Sequence, residues 1–231
     1  MSAVPVIVEQ TGRPVVLVGG MAVLCRLSTA YRVTTDLDTV DRSHPGQVAQ
    51  LELLLSAGAA PSGPSGAVVT TPFGEVQVDV LQVTDADLAR LPEDPTDRLH
   101  VLAHDWAVTS ASPVVVSTEG LDPLQVAVAE PGALVAMKLQ AVMNRGRAKE
   151  GSDLLDIVRL TLDRECGPVA RAQLERAGDQ LRADALLHAR RWFDDGAARS
   201  LRVARAVPEG RDVELDDLRL VGELLIAALD S

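Results

Sequence analysis

Residues 15–38 read VVLVGGMAVLCRLSTAYRVTTDLD. Residues 15–18 are an unbroken apolar run that ends in the paired glycines Gly19 and Gly20. Such a short run suits a central strand buried on both faces. Gly20 to about Thr29 has helical composition, and residues 32–38, rich in β-branched side chains after the aromatic Tyr31, predict the next strand. Asp36 and Asp38 stand two apart in that strand, so their carboxylates project to one side while Leu37 faces the core. Two anions held together repel, and a divalent cation is the natural third party. The exposed N–H groups of a glycine turn suit a phosphate. The stretch therefore predicts a site for a metal and a nucleotide.

Working outward, residues 45–57 begin with proline and put Val48, Leu51, Leu54 and Leu55 on one helical face. Residues 60–66, APSGPSG, read as a turn or flexible loop. A hairpin follows over 67–70 and 75–83, joined by TPFG, and within EVQVDVLQV the single acid Asp79 falls on the polar face. Asp79 lies beside Asp36 and Asp38 if those two strands are neighbours. Residues 84–112 read as helical and irregular, and 113–117 and 124–128 as further strands. From Pro131 the pattern is helical, over 131–145, 149–162, 168–187, 189–204 and 212–228, with breaks near Gly146, Gly167 and Pro208. The expected fold is α/β (α+β): a mixed-sheet core over residues 1–128, then a helical region over 129–231.

With 231 residues and 47% hydrophobic content the chain can bury a full core. Its formal charge of −11 argues against a general nucleic-acid coat protein. The distribution is uneven. Residues 1–138 carry 7 basic and 16 acidic groups, whereas residues 139–205 carry 13 and 10, so a polyanionic partner is expected on the latter section. Cys25 and Cys166 have no metal or redox spacing, which fits a reducing compartment. The first residues, MSAVPVIVEQ, have no basic n-region, and no apolar run is long enough to span a bilayer. A cytoplasmic protein without a membrane partner is expected.

A second cluster occupies residues 136–156, AMKLQAVMNRGRAKEGSDLLD. The only two lysines of the chain, Lys138 and Lys149, both fall here, against twenty arginines in the whole chain. Lys138 sits among Leu134, Val135, Met137 and Leu139, where its charged head must reach a cleft or partner, or else snorkel to the surface. A compact ammonium suits contact with a triphosphate.

Taken together, Gly19-Gly20, then Arg32-x-Thr34-x-Asp36-x-Asp38, then Asp79, then Lys138, Ala141, Arg145, Lys149, Glu150 and Asp153 form a pattern. It resembles the AbiEii/MenT-type nucleotidyltransferases, toxin components of toxin–antitoxin systems with a DNA-polymerase-β-like core and a helical C-terminal region. The resemblance covers about residues 14–160. Glu150 stands where the family usually has Asp, and the short segment before the first strand implies that a helix common in relatives is missing.

The resemblance implies a nucleoside triphosphate substrate bound with Mg²⁺ or Mn²⁺. Asp36 and Asp38 would be metal ligands, and Asp79 a third ligand or the base for the attacking hydroxyl. Gly19 and Gly20 would approach the phosphates, with Arg32, Thr34, Lys149 and Glu150 also lining the nucleotide site. Lys138 would neutralise the triphosphate, and Asp153 would hold Lys138 or the nucleotide. In relatives the acceptor is the 3′ end of tRNA, and a cognate antitoxin opposes the activity. The arginines of residues 145–205 are the candidate RNA-facing surface, or else form ion pairs along the helices.

Two rival readings stand beside this one. An antibiotic-type, small-molecule nucleotidyltransferase would use the acidic balance of residues 1–138 to hold a cationic substrate. A catalytically silent nucleotidyltransferase fold would act by binding alone. Other features carry less: His100 and His104 have a zinc-like spacing without a convincing third ligand. Cys25 suits the core, and Trp192-Phe193 suits either base stacking or packing.

Overall fold

Among residues 15–18, Val16–Val18 form the first strand, β1, an interior strand of the sheet. The computed structural model describes the backbone of every residue except 119–120 and 145–146, and every side chain except those of 118–121 and 144–148. Six further strands are described: β2 (Leu37–Ser43), β3 (Ala60–Ser62), β4 (Gly66–Thr71), β5 (Gly74–Thr84), β6 (Ser112–Thr118) and β7 (Leu121–Val128). They form one mixed sheet in the order β3-β4-β5-β2-β1-β7-β6. The β2–β5 and β1–β7 pairs are parallel, and the other neighbours are antiparallel. No helix among the described residues is long and apolar enough to cross a membrane.

The first helix, α1 (Ala3–Thr11), precedes β1 and corrects the expectation that this segment lacks one. Ser2 at its start makes no side-chain capping bond, but Gly12 ends it in the left-handed conformation, φ 65°, donating its N–H to Val8. The helix α2 (Gly19–Arg26) begins at the glycine pair itself. The expected strand over 32–38 is shorter and later than its composition suggests. It starts only at Leu37, because Tyr31 and Arg32 turn away to an acid on a distant helix. Here an ion pair overrides β-propensity.

Between β2 and β3 lies α3 (Gln50–Ser56), which begins five residues later than expected, after a turn at Gly46 with φ 81°. APSGPSG is not merely a loop. It holds the edge strand β3 and the turn into β4, with Gly63 at φ 68°. The expected hairpin β4–β5 is present. Helices α4 (Asp85–Ala89) and α5 (Pro95–Ser110) follow, capped by Thr84 and Asp94 respectively.

After β7 the described chain is helical: α6 (Pro131–Asn144), α7 (Arg147–Leu162), α8 (Cys166–Glu175), α9 (Asp179–Ala189), α10 (Ala197–Ala204) and α11 (Leu215–Leu229). Two long expected helices are broken. Gly178 separates α8 from α9, and a π-helical turn over Arg190–Asp195 followed by Gly196 separates α9 from α10. One apolar cluster nevertheless runs from Ala3 to Leu229, with Leu17 and Val128 of the sheet beside Leu134 and Leu139 of α6.

Alternation along β2 fixes which helices cover which face. Asp41 accepts the backbone N–H of Gln50 on α3 at 2.7 Å, whereas Arg42 donates to Asp105 on α5 at 2.7 Å. Even-numbered residues of β2 therefore look toward α5, and Asp38 is one of them.

Candidate functional site

Pairing across the sheet puts four residues in one row: Val18 of β1, Asp38 of β2, Asp79 of β5 and Gly66 of β4. Neighbouring strands lie about 4.8 Å apart. Asp38 and Asp79, directly opposed on parallel strands, therefore share one face as adjacent carboxylates. Like charges so placed repel.

Each acid leans over a glycine. A Cβ at Gly19 would overlap the Asp38 carboxylate, and one at Gly66 would stand 2.6 Å from Asp79 Oδ1. Gly19 also has φ 63°, which a side chain rarely adopts. Glycine is thus required at position 19 twice over, by conformation and by room.

Gly19 and Gly20 open α2, and Val18 before them supplies no side-chain cap. The first-turn N–H groups have no partner within the helix. Arg32 adds a cation there: a Cβ on Gly20 would sit 2.5 Å from one of its guanidinium nitrogens. A positive side chain at the positive end of a helix is unfavourable alone and favourable once an anion lies between them.

Behind Arg32 runs a buried charge network. Its guanidinium donates to Asp156 Oδ2 at 3.0 Å and to the Tyr31 hydroxyl at 3.0 Å, and Tyr31 donates in turn to Asp156. Asp156 also meets Lys138 at 2.7 Å, and Lys138 donates to Asp153 at 2.6 Å. Lys138 is only 5% exposed and Asp156 is fully buried, so the snorkelling alternative for Lys138 does not hold. Burial works against the Lys138 ammonium, but Asp156 and Asp153 outweigh it and raise its pKa above the ordinary lysine value. Burial likewise disfavours the Asp156 carboxylate, yet Lys138 and Arg32 hold it below the usual range. Burial and the Asp156 charge push the Tyr31 phenol up. Two cations and two carboxylates thus lock α6, α7 and the 31–36 segment together.

The remaining sequence candidates separate. Asp36 precedes β2 in the irregular segment, bonded to Thr35 and 4.0 Å from the exposed Lys149. Thr34 lies in the same run. No three His, Cys, Asp or Glu side chains converge closely enough to hold a metal ion among the described residues. Asp38 and Asp79 do offer two hard oxygen donors on one face, the donor type that suits Mg²⁺. Glu150 is buried and ion-paired to Arg199 of α10, so it serves an interhelical contact. Arg145 falls outside the described residues.

His100 and His104 stack with ring centroids 4.0 Å apart. Trp192 and Phe193 are buried packing residues, with Arg191 and Arg199 over the Trp192 ring. Cys25 is half-buried and Cys166 buried, both as free thiols, and burial pushes the Cys166 thiol up to about 12. Of the arginines in 145–205, Arg159, Arg190, Arg199 and Arg205 form ion pairs with acids, the blander of their two expected roles.

Sequence reading missed Asp156, Tyr31 and Gly66. Asp156 had a visible signal: it follows Asp153 by three residues, which places both on one helical face. Gly66 had none, because only the β4–β5 register shows that it faces Asp79. No family model matches the chain, and no curated protein matches it.

Proposed function

We propose that the chain is a Mg²⁺-dependent nucleotidyltransferase with a polymerase-β-like core, acting as the toxin of a toxin–antitoxin pair on the 3′ end of tRNA. The observation that carries this reading is the Asp38–Asp79 pair, in register on parallel strands beside the Gly19 turn that opens α2. Opposed carboxylates on neighbouring strands repel, and a cation held between them relieves that repulsion.

The triphosphate lies against the first-turn N–H groups of α2, with Arg32 as the adjacent cation. Asp38 and Asp79 would hold Mg²⁺ between them. When bound, the ion neutralises charge on the departing pyrophosphate and acidifies the acceptor hydroxyl. The acceptor oxygen bonds to the α-phosphorus, the bond to the β-phosphate oxygen breaks, and Asp79, the more exposed acid of the pair, takes the hydroxyl proton. Lys138, engaged by two carboxylates, acts through Asp156 to hold Arg32 in place. Positioning and electrostatics supply most of the acceleration.

The test is incubation of the protein with α-labelled nucleoside triphosphates and total tRNA. Label at tRNA 3′ ends supports the reading, and its absence with every nucleotide and Mn²⁺ as well overturns it. The 16 acids against 7 bases in residues 1–138 favour a second reading, transfer to a cationic small molecule. Label on an aminoglycoside and not on RNA would identify that one.

A further inference from the structure

Beside the acid row is a cavity of about 180 Å³ whose lining includes Gly19, Leu81, His100, Met137, Lys138 and Gln140. Gly19 is the residue over which Asp38 leans, and Leu81 follows Asp79 by two on the same face of β5. The cavity therefore adjoins the candidate phosphate turn. At about 30 Å³ per water it has room for about six waters, well short of the ~300 Å³ and upward of sites that enclose a whole drug-sized ligand. It has room for one ring system, not for a nucleotide.

Its chemistry is mixed in a particular way. Leu81 and Met137 supply apolar surface, and a thioether packs well on an aromatic ring. Gln140 is 4% exposed and hydrogen-bonded to His100. The His104 ring also lines the cavity, stacked on His100, with a nitrogen 2.5 Å from the His100 carbonyl oxygen. Burial lowers the His100 pKa and keeps its imidazole neutral, with one donor and one acceptor. Gln140 also offers both. Hydrogen-bonded to each other, Gln140 and the partly buried His100 each keep further hydrogen-bonding capacity for an occupant of the cavity.

We infer that this cavity receives the heteroaromatic base of the nucleotide, with His100 and Gln140 reading its hydrogen-bonding edge. The inference rests on the nucleotidyl-transfer reading above. An occupant tethered to phosphates at Gly19 and Arg32 must be short, flat and edged with donors and acceptors, and a base is all three. Selectivity follows, because a base with the wrong edge leaves buried polar groups unpaired.

The experiment is calorimetric titration of wild type and of the His100→Leu/Gln140→Met double variant. Each is titrated with the four nucleoside triphosphates and with inorganic tripolyphosphate, all with Mg²⁺. Wild type should separate best from worst nucleotide by about tenfold or more, roughly 1.4 kcal/mol. The double variant should lose that separation while binding tripolyphosphate as wild type does. If it keeps the wild-type preference, or if wild type shows none while binding tripolyphosphate, the inference is overturned and the phosphate site stands. If wild type binds neither nucleotide nor tripolyphosphate, the nucleotidyl-transfer reading fails and takes the inference with it. Should the double variant not melt cooperatively, Gln140→Glu replaces an amino donor with an acceptor at constant shape. It should reorder the preference, and an unchanged order overturns the inference.

Discussion

Asp38 and Asp79 are directly opposed on the parallel strands β2 and β5, each leaning over a glycine that leaves it room. Stability alone would not select this arrangement, since opposed like charges are unfavourable. Its cost makes sense where a cation is to be held.

Activity and stability should therefore move in opposite directions on neutralisation. Asp38→Asn and Asp79→Asn keep shape and remove charge. Each should lower nucleotidyl transfer by about 10²-fold or more. Asp79→Asn should not lower the melting temperature, because the repulsion is relieved. Labelled-nucleotide assays and thermal melts on the same preparations check this, and parallel losses of both would make the pair structural.

Asp156 should behave in the contrary way. It is fully buried and accepts from Lys138, Arg32 and Tyr31. Asp156→Ala strands Arg32 and leaves Lys138 with Asp153 alone, and breaking a buried pair costs about 3–5 kcal/mol. For a chain of this length that is roughly 6–20 °C in melting temperature. Arg32→Met in the Asp156→Ala background should recover part of the loss, since it removes the stranded guanidinium, and a melt of the double variant measures it.

The sequence carried what is local or periodic. The strand before Gly19, the β4–β5 hairpin and the apolar faces of α6 and α7 all follow from spacing that the structure keeps. What failed was decided by distant partners. Residues 32–36 have strand composition, yet Tyr31 and Arg32 are claimed by Asp156, more than a hundred residues away. Glu150 looks like a site acid from its place in the pattern, yet Arg199 engages it. The nearness of Asp79 to Asp38 depended on strand order, a property that no local window contains.

Glu150 and Gly20 test that distinction. Glu150→Gln should weaken the α7–α10 contact and leave nucleotide affinity unchanged. Gly20→Ala should do the reverse. Its new Cβ, 2.5 Å from an Arg32 nitrogen, displaces the far end of a flexible side chain, so the fold should survive. Tripolyphosphate affinity should fall as Arg32 leaves its place, and titrations of both variants separate the two effects.

Acid should destabilise the fold through His188 before it reaches the carboxylates. His188 on α9 is 1% exposed, and neither ring nitrogen has a hydrogen-bond partner among the described residues. Burial lowers its pKa, and nearby Asp184 does not compensate. In the unfolded chain the ring titrates near its ordinary value of about 6.5. Below that pH the unfolded state takes up a proton that the folded state resists, so stability rises with pH through this window. The His188 contribution is thus complete above about 6.5 and is lost as pH falls toward the lowered folded value. His100, also lowered by burial, acts with the same sign. Asp156, held below the usual carboxylate range, loses its contribution only at pH values under about 4. Melts of wild type between pH 8 and pH 5 should therefore decline on the acid side well before the carboxylates titrate. His188→Leu removes the unpartnered nitrogens and should flatten part of that decline without lowering stability at neutral pH. A variant curve parallel to wild type across the whole range would assign the acid sensitivity to other groups.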